Sequence, residues 1–406
     1  MTATYGREER TEPPAPESLY VHFPFCVSIC PYCDFVVLAG RAAQGAQSRA
    51  GQLVEGLIRE IELRATGAPA MAPLGSVYLG GGTPSLMSAA QVGRLLATIE
   101  RTFGMAADAE VTIEANPGPA ERGDLAGFRA AGVNRLSVGA QSMHVQELRR
   151  IGRRHSPGDV AATVAGAQGA GFDNISLDLL YDIPGQSLGS WRATLEAVLA
   201  LEPDHVSAYA LTLEDPDLQG LAGPTGDHLP LRSGARRWRE RARPEQDDDR
   251  AADMYLLADD MLAAAGRPWY EISNWARPGR ESRHNLVYWL GGAWEAVGPG
   301  AHAFDGARTR RWNAARLDAY LAALAAGKLP PGGADVADRA TAAADRAILR
   351  LRTAAGVLID GAAPPSAAVQ WGVETGLATQ GSDRIARLTL RGRLASNELF
   401  LRLLPG

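Results

Sequence analysis

The chain has 406 residues, a hydrophobic fraction of 46%, a charged fraction of 21% and a formal net charge of −5. These values are typical of a soluble globular protein whose core is large enough for more than one domain. No apolar run approaches the length needed to cross a bilayer, so we expect no transmembrane segment. The small net charge gives no general reason to expect nucleic acid as a partner.

Along residues 18–215, short β-rich runs alternate with amphipathic helical patterns. The runs that predict strands are Leu19–Phe23, Ser76–Leu79, Glu110–Glu114, Asn134–Val138, Asn174–Leu179 and His205–Tyr209. The patterns that predict helices between them are Gln47–Arg64, Ala89–Arg101, Arg122–Ala131, Gly158–Ala170 and Leu188–Ala200. Such alternation predicts a parallel sheet with helices outside, and a ligand site at the carboxyl ends of the strands. The pattern alone does not distinguish six barrel units from a doubly wound sheet.

Two flanking segments differ from this pattern in composition. Residues 1–17 are polar and rich in proline, which predicts a flexible lead-in rather than a signal peptide. Residues 216–250 combine Gly and Pro with a basic run and with Asp247–Asp249. We interpret this segment as a charged surface insertion, expected to form a solvated, mobile loop.

The last part of the chain contains two further segments. Residues 251–331 begin with a predicted helix, Ala251–Ala265, and contain the YEISN and HNLVYW stretches. Residues 332–406 predict helices at Asp338–Arg352 and Pro365–Gly372, followed by a small strand pair and a final helix. This tail lacks a concentrated basic face, so we interpret it as a docking or lid module.

All three cysteines of the chain, Cys26, Cys30 and Cys33, lie within the stretch Ser18–Phe35, which reads SLYVHFPFCVSICPYCDF. Three thiolates on one short loop can hold three corners of an iron–sulfur cube, and the fourth iron can then bind a substrate or cofactor. The alternatives are a zinc site with His22 as fourth ligand, a disulfide, and buried free cysteines. The sequence offers no second pair of zinc ligands, and an odd number of cysteines without a secretory signal disfavours disulfides.

Further candidate residues follow the predicted strands. The second strand leads into the glycine-rich stretch Gly80–Ser85, where the backbone can approach a ligand closely. The third, fourth and fifth strands end near Glu114, Gln141 and Asp178, and Arg153 follows the next helix. Each of these alone could be a helix cap, an ion-pair partner or a turn residue. Their occurrence at successive strand ends indicates one shared site.

The cysteine spacing, with YVHFPFC before and CPYCDF around it, resembles the radical S-adenosylmethionine (SAM) superfamily. Within it, the stretch resembles the branch that contains the oxygen-independent coproporphyrinogen III oxidase (HemN) and the heme chaperone HemW. The resemblance implies an α/β fold, a radical SAM partial (β/α)6 barrel at 18–215 with a C-terminal winged-helix-like α+β domain. It also implies a [4Fe-4S] cluster on Cys26, Cys30 and Cys33, which when reduced cleaves SAM to methionine and a 5′-deoxyadenosyl radical.

The resemblance further implies which residues contact SAM. Gly81, Gly82 and Thr83 match the stretch that holds the SAM amino group, and Arg153 could pair with its carboxylate, with Arg154 as the alternative. The full predicted SAM set is Tyr20, Gly81, Gly82, Thr83, Glu114, Gln141, Arg153 and Asp178.

One position separates the two members of this branch. HemN-type oxidases carry a fourth cysteine two residues after the third, and this chain has Phe35 there. The block Glu271–Trp289 also resembles the HemW pattern. Both features favour a heme chaperone that binds heme, the [4Fe-4S] cluster and SAM. The alternative is an oxygen-independent coproporphyrinogen III oxidase, so whether the protein is an enzyme stays open, and we assign no catalytic residue.

The HNLVYW stretch supplies candidate heme contacts. A neutral imidazole is a common axial ligand of heme iron, so His284 is a candidate, with Asn285, Tyr288 and Trp289 orienting it or packing on the porphyrin. The alternative is that His284 and Asn285 only hydrogen-bond the open edge of the barrel. His302 is a second candidate ligand.

The resemblance also bears on partners and location. It implies heme and a heme-accepting protein as partners, the acceptor being a respiratory enzyme at the membrane. We expect a cytoplasmic protein, brought to the membrane only transiently through such a partner. The sequence does not predict the oligomeric state.

Overall fold

The structure is a computed structural model that describes residues 16–40, 43, 48–66, 72–213, 222–223, 225–359 and 365–405. The predicted lead-in at 1–17 lies outside the described residues except for its last two positions. Part of the predicted insertion, residues 216–221 and 224, lies outside them as well.

Within the described residues, the strands are β1 Ser18–Phe23, β2 Phe25–Cys26, β3 Leu38–Ala39, β4 Leu74–Gly81, β5 Met105–Ala115, β6 Arg135–Gln141, β7 Ile175–Tyr181, β8 His205–Ala210, β9 Trp269–Glu271, β10 Asn274–Ala276, β11 Trp294–Val297, β12 His302–Phe304, β13 Thr309–Asn313, β14 Gly332–Val336, β15 Val357–Leu358, β16 Ala378–Gln380 and β17 Ile385–Leu388. The helices are α1 Ala50–Ala65, α2 Ala89–Phe103, α3 Leu125–Ala130, α4 Val145–Arg150, α5 Pro157–Gly169, α6 Leu188–Leu199, α7 Ser233–Ala242, α8 Asp248–Ala264, α9 Arg283–Leu290, α10 Leu317–Ala325, α11 Arg339–Leu351, α12 Pro365–Glu374, α13 Leu390–Leu394 and α14 Ser396–Leu403. None of the described helices is both long and apolar enough to cross a membrane.

The predicted strand–helix alternation is confirmed. Strands β1, β4, β5, β6, β7 and β8 form a continuous parallel sheet and overlap the six predicted strands. They belong to a twelve-stranded sheet of order β14-β13-β12-β11-β1-β4-β5-β6-β7-β8-β10-β9. Its edge strands β14 and β9 do not pair with each other among the described residues, so the barrel is an open one, as expected.

Side-chain alternation along the strands places the core on the outside of this barrel wall. On β1, Leu19, Val21 and Phe23 are fully buried in the main hydrophobic cluster, while Tyr20 and His22 face the interior of the barrel. The outer cluster is completed by side chains from α1, α2, α3, α5, α6, α8 and α10. The interior is therefore left for polar groups.

The sheet extends beyond the predicted barrel. Residues 251–331 supply β9 to β13, and β11 pairs parallel with β1, which is thereby enclosed between β11 and β4. The next strand, β14 (Gly332–Val336), pairs antiparallel with β13. The sheet thus continues past the predicted domain boundary at 332, and the winged-helix-like part begins with α11.

The predicted insertion differs from the expected mobile loop in its second half. Residues 233–242 form α7, whose Trp238 packs in a small cluster with Tyr32 of the cysteine loop. Arg239, only 3% exposed, donates hydrogen bonds to the carbonyls of Pro31 and Cys33 and pairs with Asp34 at 2.6 Å. Arg239 of the basic run therefore packs on the cysteine loop, whereas its neighbours Arg237 and Arg241 are exposed.

The C-terminal part has its own small core. The three-stranded sheet β15-β17-β16 packs with α11, α12 and α14 around Leu351, Val369 and Leu399. Arg393, in α13, joins this part to α8 through two hydrogen bonds of 2.7 Å to the carboxylate of Asp259, and it lies over the ring of Trp269. This bidentate pair fixes the tail against the barrel.

We expect Arg393→Met to lower the free energy of unfolding by about 2–4 kcal/mol, because it removes the cationic partner of the largely buried Asp259 carboxylate, to which the indole N–H of Trp275 still donates. Thermal and urea unfolding measure this loss. Arg391→Met is the matched control, since the exposed Arg391 makes one hydrogen bond, to the carbonyl of Thr375. Equal stability of the two variants would contradict the role given to Arg393.

Candidate functional site

The barrel interior is lined by polar side chains at the alternate strand positions. The main inward-facing residues are Tyr20, His22, Ser76, Tyr78, Glu110, Thr112, Glu114, Arg135, Ser137, Ser176, Asp178, His205 and Ser207. The site predicted at the strand ends is the part of this lining at the carboxyl ends of the strands, next to the cysteine loop. The loop itself is anchored by the short parallel pair β2 and β3.

The three thiols lie in surroundings that suit cluster ligands. Cys26 is buried, while Cys30 and Cys33 are half-buried. The hydroxyl of Thr83 donates to the sulfur of Cys26 at 3.5 Å, and the guanidinium of Arg153 donates to the sulfur of Cys30 at 3.7 Å. Donors aimed at sulfur stabilise thiolates, the form that binds iron. The three cysteines, as a donor set, therefore fit a [4Fe-4S] cluster.

The zinc alternative finds less support. Nδ1 of His22 lies 3.0 Å from the hydroxyl of Tyr20, and Nε2 lies 2.8 Å from the carbonyl oxygen of Val36. Both ring nitrogens of the proposed fourth ligand are therefore engaged. In the described part of the chain, no three His, Cys, Asp or Glu side chains are arranged around a single metal ion. In a cube each cysteine binds a different iron, so its sulfurs need not converge on one point.

The glycines after β4 are required by packing within the protein. A Cβ on Gly81, which has φ of +112°, would lie 2.5 Å from the ring of His22, and one on Gly82 would lie 2.7 Å from the carbonyl oxygen of Phe25. The backbone N–H of Thr83 donates to that same carbonyl at 2.8 Å. The close approach holds this stretch against the start of the cysteine loop, where the predicted SAM contacts lie.

Glu114 is half-buried between the predicted SAM residues. The hydroxyl of Tyr78 and the backbone N–H of Gly81 each donate to its carboxylate at 2.9 Å. Burial raises the pKa of Glu114 to about 7, and the nearby carboxylate of Asp178 raises it further, against those two hydrogen bonds. Its protonation state therefore changes near neutral pH.

The other predicted SAM residues line the same end of the barrel interior, next to the cysteine loop, which we call the barrel mouth. Asp178 accepts hydrogen bonds from Ser137 at 2.8 Å and Ser176 at 3.2 Å, and burial raises its pKa. Gln141, at a register shift between β6 and β7, has a φ of +64°, which non-glycine residues rarely adopt. Arg153 points into the site, whereas the alternative, Arg154, is exposed.

Sequence reasoning missed several residues of this site. Asn116, two residues after Glu114, donates to the hydroxyl of Thr83 at 3.0 Å and accepts from Arg153. It thus links the two side chains that contact cysteine sulfurs. Tyr78 and Ser137 were also missed, although polar residues at alternate positions of an otherwise apolar strand were a signal that could have identified them.

The HNLVYW stretch forms α9, which Ser282 caps and whose first N–H groups, from Arg283 and His284, donate to Glu110. His284 is 1% exposed. Its Nδ1 lies 3.0 Å from the hydroxyl of Ser76, and its Nε2 lies 2.7 Å from the hydroxyl of Tyr288. In this arrangement both nitrogens are used within the protein.

The remaining candidates of that stretch are half-buried. Tyr288 packs edge-on against Trp294 at 4.6 Å, and the guanidinium of Arg352 lies 4.8 Å over the ring of Trp289. The Trp289 Nε1 group is buried without a hydrogen-bond partner among the described residues. Asn285 donates its backbone N–H to Ser282. The proposed heme contacts of these residues stay predictions.

The chain is similar in sequence to known proteins. The sequence profile of the Radical SAM superfamily matches residues 20–198. Over 394 residues the chain is 38% identical to the heme chaperone HemW of Mycobacterium tuberculosis (strain CDC 1551 / Oshkosh), covering 97% of this chain and 96% of that protein. It is 36% identical over 287 residues to the heme chaperone HemW of Escherichia coli (strain K12), covering 71% and 70%.

A solved structure supports the fold. The chain resembles the coproporphyrinogen III oxidase HemN of Escherichia coli, a radical SAM enzyme, with a TM-score of 0.75 over 97% of this chain and 90% of that one. The sequence identity of 23% means that this likeness concerns the fold alone. The chain is therefore a member of the HemW family of the radical SAM superfamily.

Proposed function

We propose that the protein is a heme chaperone that binds heme, holds a [4Fe-4S] cluster with SAM at the barrel mouth, and delivers heme to an acceptor protein. The observation that carries the proposal is the 38% identity to a heme chaperone along 97% of the chain. Phe35, which stands where the oxidases carry a further cysteine, supports it. We further propose that the acceptor is a respiratory protein.

In this proposal, different side chains at the barrel mouth bind the cluster and different parts of SAM. Cys26, Cys30 and Cys33 bind three irons, and the fourth iron would take the amino and carboxylate groups of SAM. To SAM bound in this way, the reduced cluster would supply one electron, at the sulfonium group. The carboxylates of Glu114 and Asp178 are placed to accept hydrogen bonds from ribose hydroxyls.

The backbone of Gly81–Thr83 and the guanidinium of Arg153 complete the proposed SAM site. The backbone of Gly81–Thr83 would meet the amino group of SAM, and Arg153 would meet its carboxylate. Helix α7 lies over the cysteine loop and limits the access of water and oxygen to it.

The alternative function, coproporphyrinogen III oxidation, rests on the fold shared with HemN. The two functions differ in what happens to the porphyrin. A chaperone binds heme in a fixed ratio and releases it unchanged, whereas an oxidase converts a porphyrinogen catalytically and consumes SAM.

We expect the anaerobically reconstituted protein to bind heme stoichiometrically, seen as a saturable Soret band. We also expect no turnover of coproporphyrinogen III in the presence of SAM and a reductant. Chromatography of the porphyrins after incubation measures the second outcome. Formation of protoporphyrinogen IX over many cycles per protein would overturn the chaperone proposal in favour of the oxidase.

We expect Arg239→Ala to accelerate loss of the cluster in air about tenfold or more, because a hydrogen bond from a charged group stabilises by about 1.5–3 kcal/mol and Arg239 makes several to the cysteine loop. Decay of the visible absorbance of the cluster measures the rate. Arg241→Ala, on the exposed face of the same helix, is the control, and Cys26→Ala should hold no complete cluster. Identical decay in Arg239→Ala and the wild type would exclude a protective role for α7.

We expect SAM binding to strengthen with rising pH, with Glu114 contributing about tenfold between pH 6 and pH 8. With a pKa of about 7, the Glu114 carboxyl is mostly protonated at pH 6 and mostly ionised at pH 8, and only the ionised form accepts hydrogen bonds through both oxygens. Equilibrium dialysis of SAM measures this dependence.

The variant Glu114→Gln, which cannot ionise, should lose this part of the pH dependence. Glu100→Gln on the exposed side of α2 should keep it. A pH profile in Glu114→Gln that matches the wild type would show that another group is responsible.

A further inference from the structure

A cavity of about 340 Å³ opens beside the cysteine loop and contains an acid flanked by two histidines. Nδ1 of His228 lies 2.9 Å from one carboxylate oxygen of Asp227, and Nε2 of His302 lies 2.9 Å from the other. A carboxylate that accepts from one imidazole nitrogen fixes the tautomer, so the second nitrogen is an unprotonated donor for a metal. In His302 this second nitrogen is Nδ1, which bonds no group of the described residues.

The walls of this cavity suit a flat, apolar ligand. Its lining includes Tyr288, Trp294 and Phe35, and the Phe35 side chain is 68% exposed. The ring of Trp312 lies nearly parallel to that of His302, with 6.2 Å between ring centroids. Trp294 also lines a second cavity of about 420 Å³.

His302 and His284 differ in their ability to reach such a ligand. The His302 side chain is 47% exposed, and its Nε2 bonds the carboxylate of Asp227. His284 is 1% exposed and would have to break a hydrogen bond to Ser76 or Tyr288 before it could bind iron. Breaking such buried hydrogen bonds leaves unpaired polar groups, which is unfavourable.

We infer that heme binds in this cavity with Nδ1 of His302 as an axial ligand of its iron, and with Asp227 as the positioning residue that orients the imidazole. His228 occupies the second oxygen of Asp227 and holds that carboxylate in place. The macrocycle packs on the aromatic wall formed by Tyr288, Trp294 and Phe35. This inference rests on the proposed heme-binding function and assigns the iron ligand to a residue outside the HNLVYW stretch.

Titration of the purified full-length protein with hemin, followed by absorption and electron paramagnetic resonance spectra, tests the assignment. We expect His302→Ala to lose the spectrum of histidine-ligated heme and to bind hemin at least about tenfold more weakly, and Asp227→Asn to weaken binding about 10–100-fold. Added imidazole should restore the ligated spectrum in His302→Ala, which separates loss of a ligand from misfolding.

Two further variants serve as comparisons. His144→Ala removes an exposed histidine that makes no capping hydrogen bond at the start of α4, and it should bind hemin like the wild type. His284→Ala should keep the histidine-ligated spectrum if it folds. Loss of the spectrum in His284→Ala that imidazole restores would overturn the inference in favour of His284.

The outcomes also distinguish the assignment of the heme site from the proposed heme-chaperone function. If the wild type binds hemin stoichiometrically and His302→Ala gives the same spectrum and affinity, the site assignment is wrong while the chaperone proposal stands. If the wild type does not bind hemin, both fail. Binding of Zn²⁺ but not hemin at Asp227 and the two histidines would also overturn the inference, since the cavity would then be a metal-ion site.

Discussion

Each of the six parallel strands buries one face beneath helices and turns its other face to the barrel interior. Since side chains alternate along a strand, apolar residues fill the outer face and polar residues are left for the inner one. Glu110 is thereby buried, and Glu114 and Asp178 are half-buried, near the buried Arg135. Burial disfavours the ionised form of a carboxyl group, which is why the pKa values of Glu114 and Asp178 rise although the charge of Arg135 lowers them.

A close approach of two backbone segments connects this interior to the cysteine loop. The N–H of Gly82 donates to the carbonyl of Phe23, and the N–H of Thr83 donates to the carbonyl of Phe25, so the ends of β1 and β4 are joined beyond the sheet itself. Side chains at Gly81 or Gly82 would prevent this contact. The position of the three sulfurs relative to the polar interior is therefore set by main-chain geometry. Thr83 and Arg153 then contact two of the sulfurs, and Asn116 links these two side chains.

The sequence predicts those features that depend on local patterns. The six barrel strands were identified because each is a short β-rich run between helical patterns, and the residues at their ends follow from the strand assignments. Contacts between distant parts of the chain were not predicted. The basic run at 233–242 has the composition of a loop, and only its docking through Arg239 onto Pro31 and Asp34 reveals a covering helix.

The two candidate heme ligands, His284 and His302, show the same difference between local patterns and contacts of distant segments. A histidine in an HNLVYW stretch looks available in sequence, and its burial against Ser76 becomes visible only when β4 and α9 are brought together. The sequence did not indicate a role for His228. Its partner Asp227 is simply the adjacent residue, and His302, which bonds the same carboxylate, lies on a strand far along the chain. Strands β11 to β14 were likewise too short for their periodicity to stand out.

The pairing of β1 with β11 has a consequence for synthesis of the protein. Strand β1 is synthesised before its neighbour Trp294–Val297, which follows 276 residues later, counted from Ser18 to Trp294. At about 5–20 residues per second, β1 keeps one unpaired edge for roughly 15–55 s. During that interval the nascent chain exposes a strand edge, which is a hazard for aggregation.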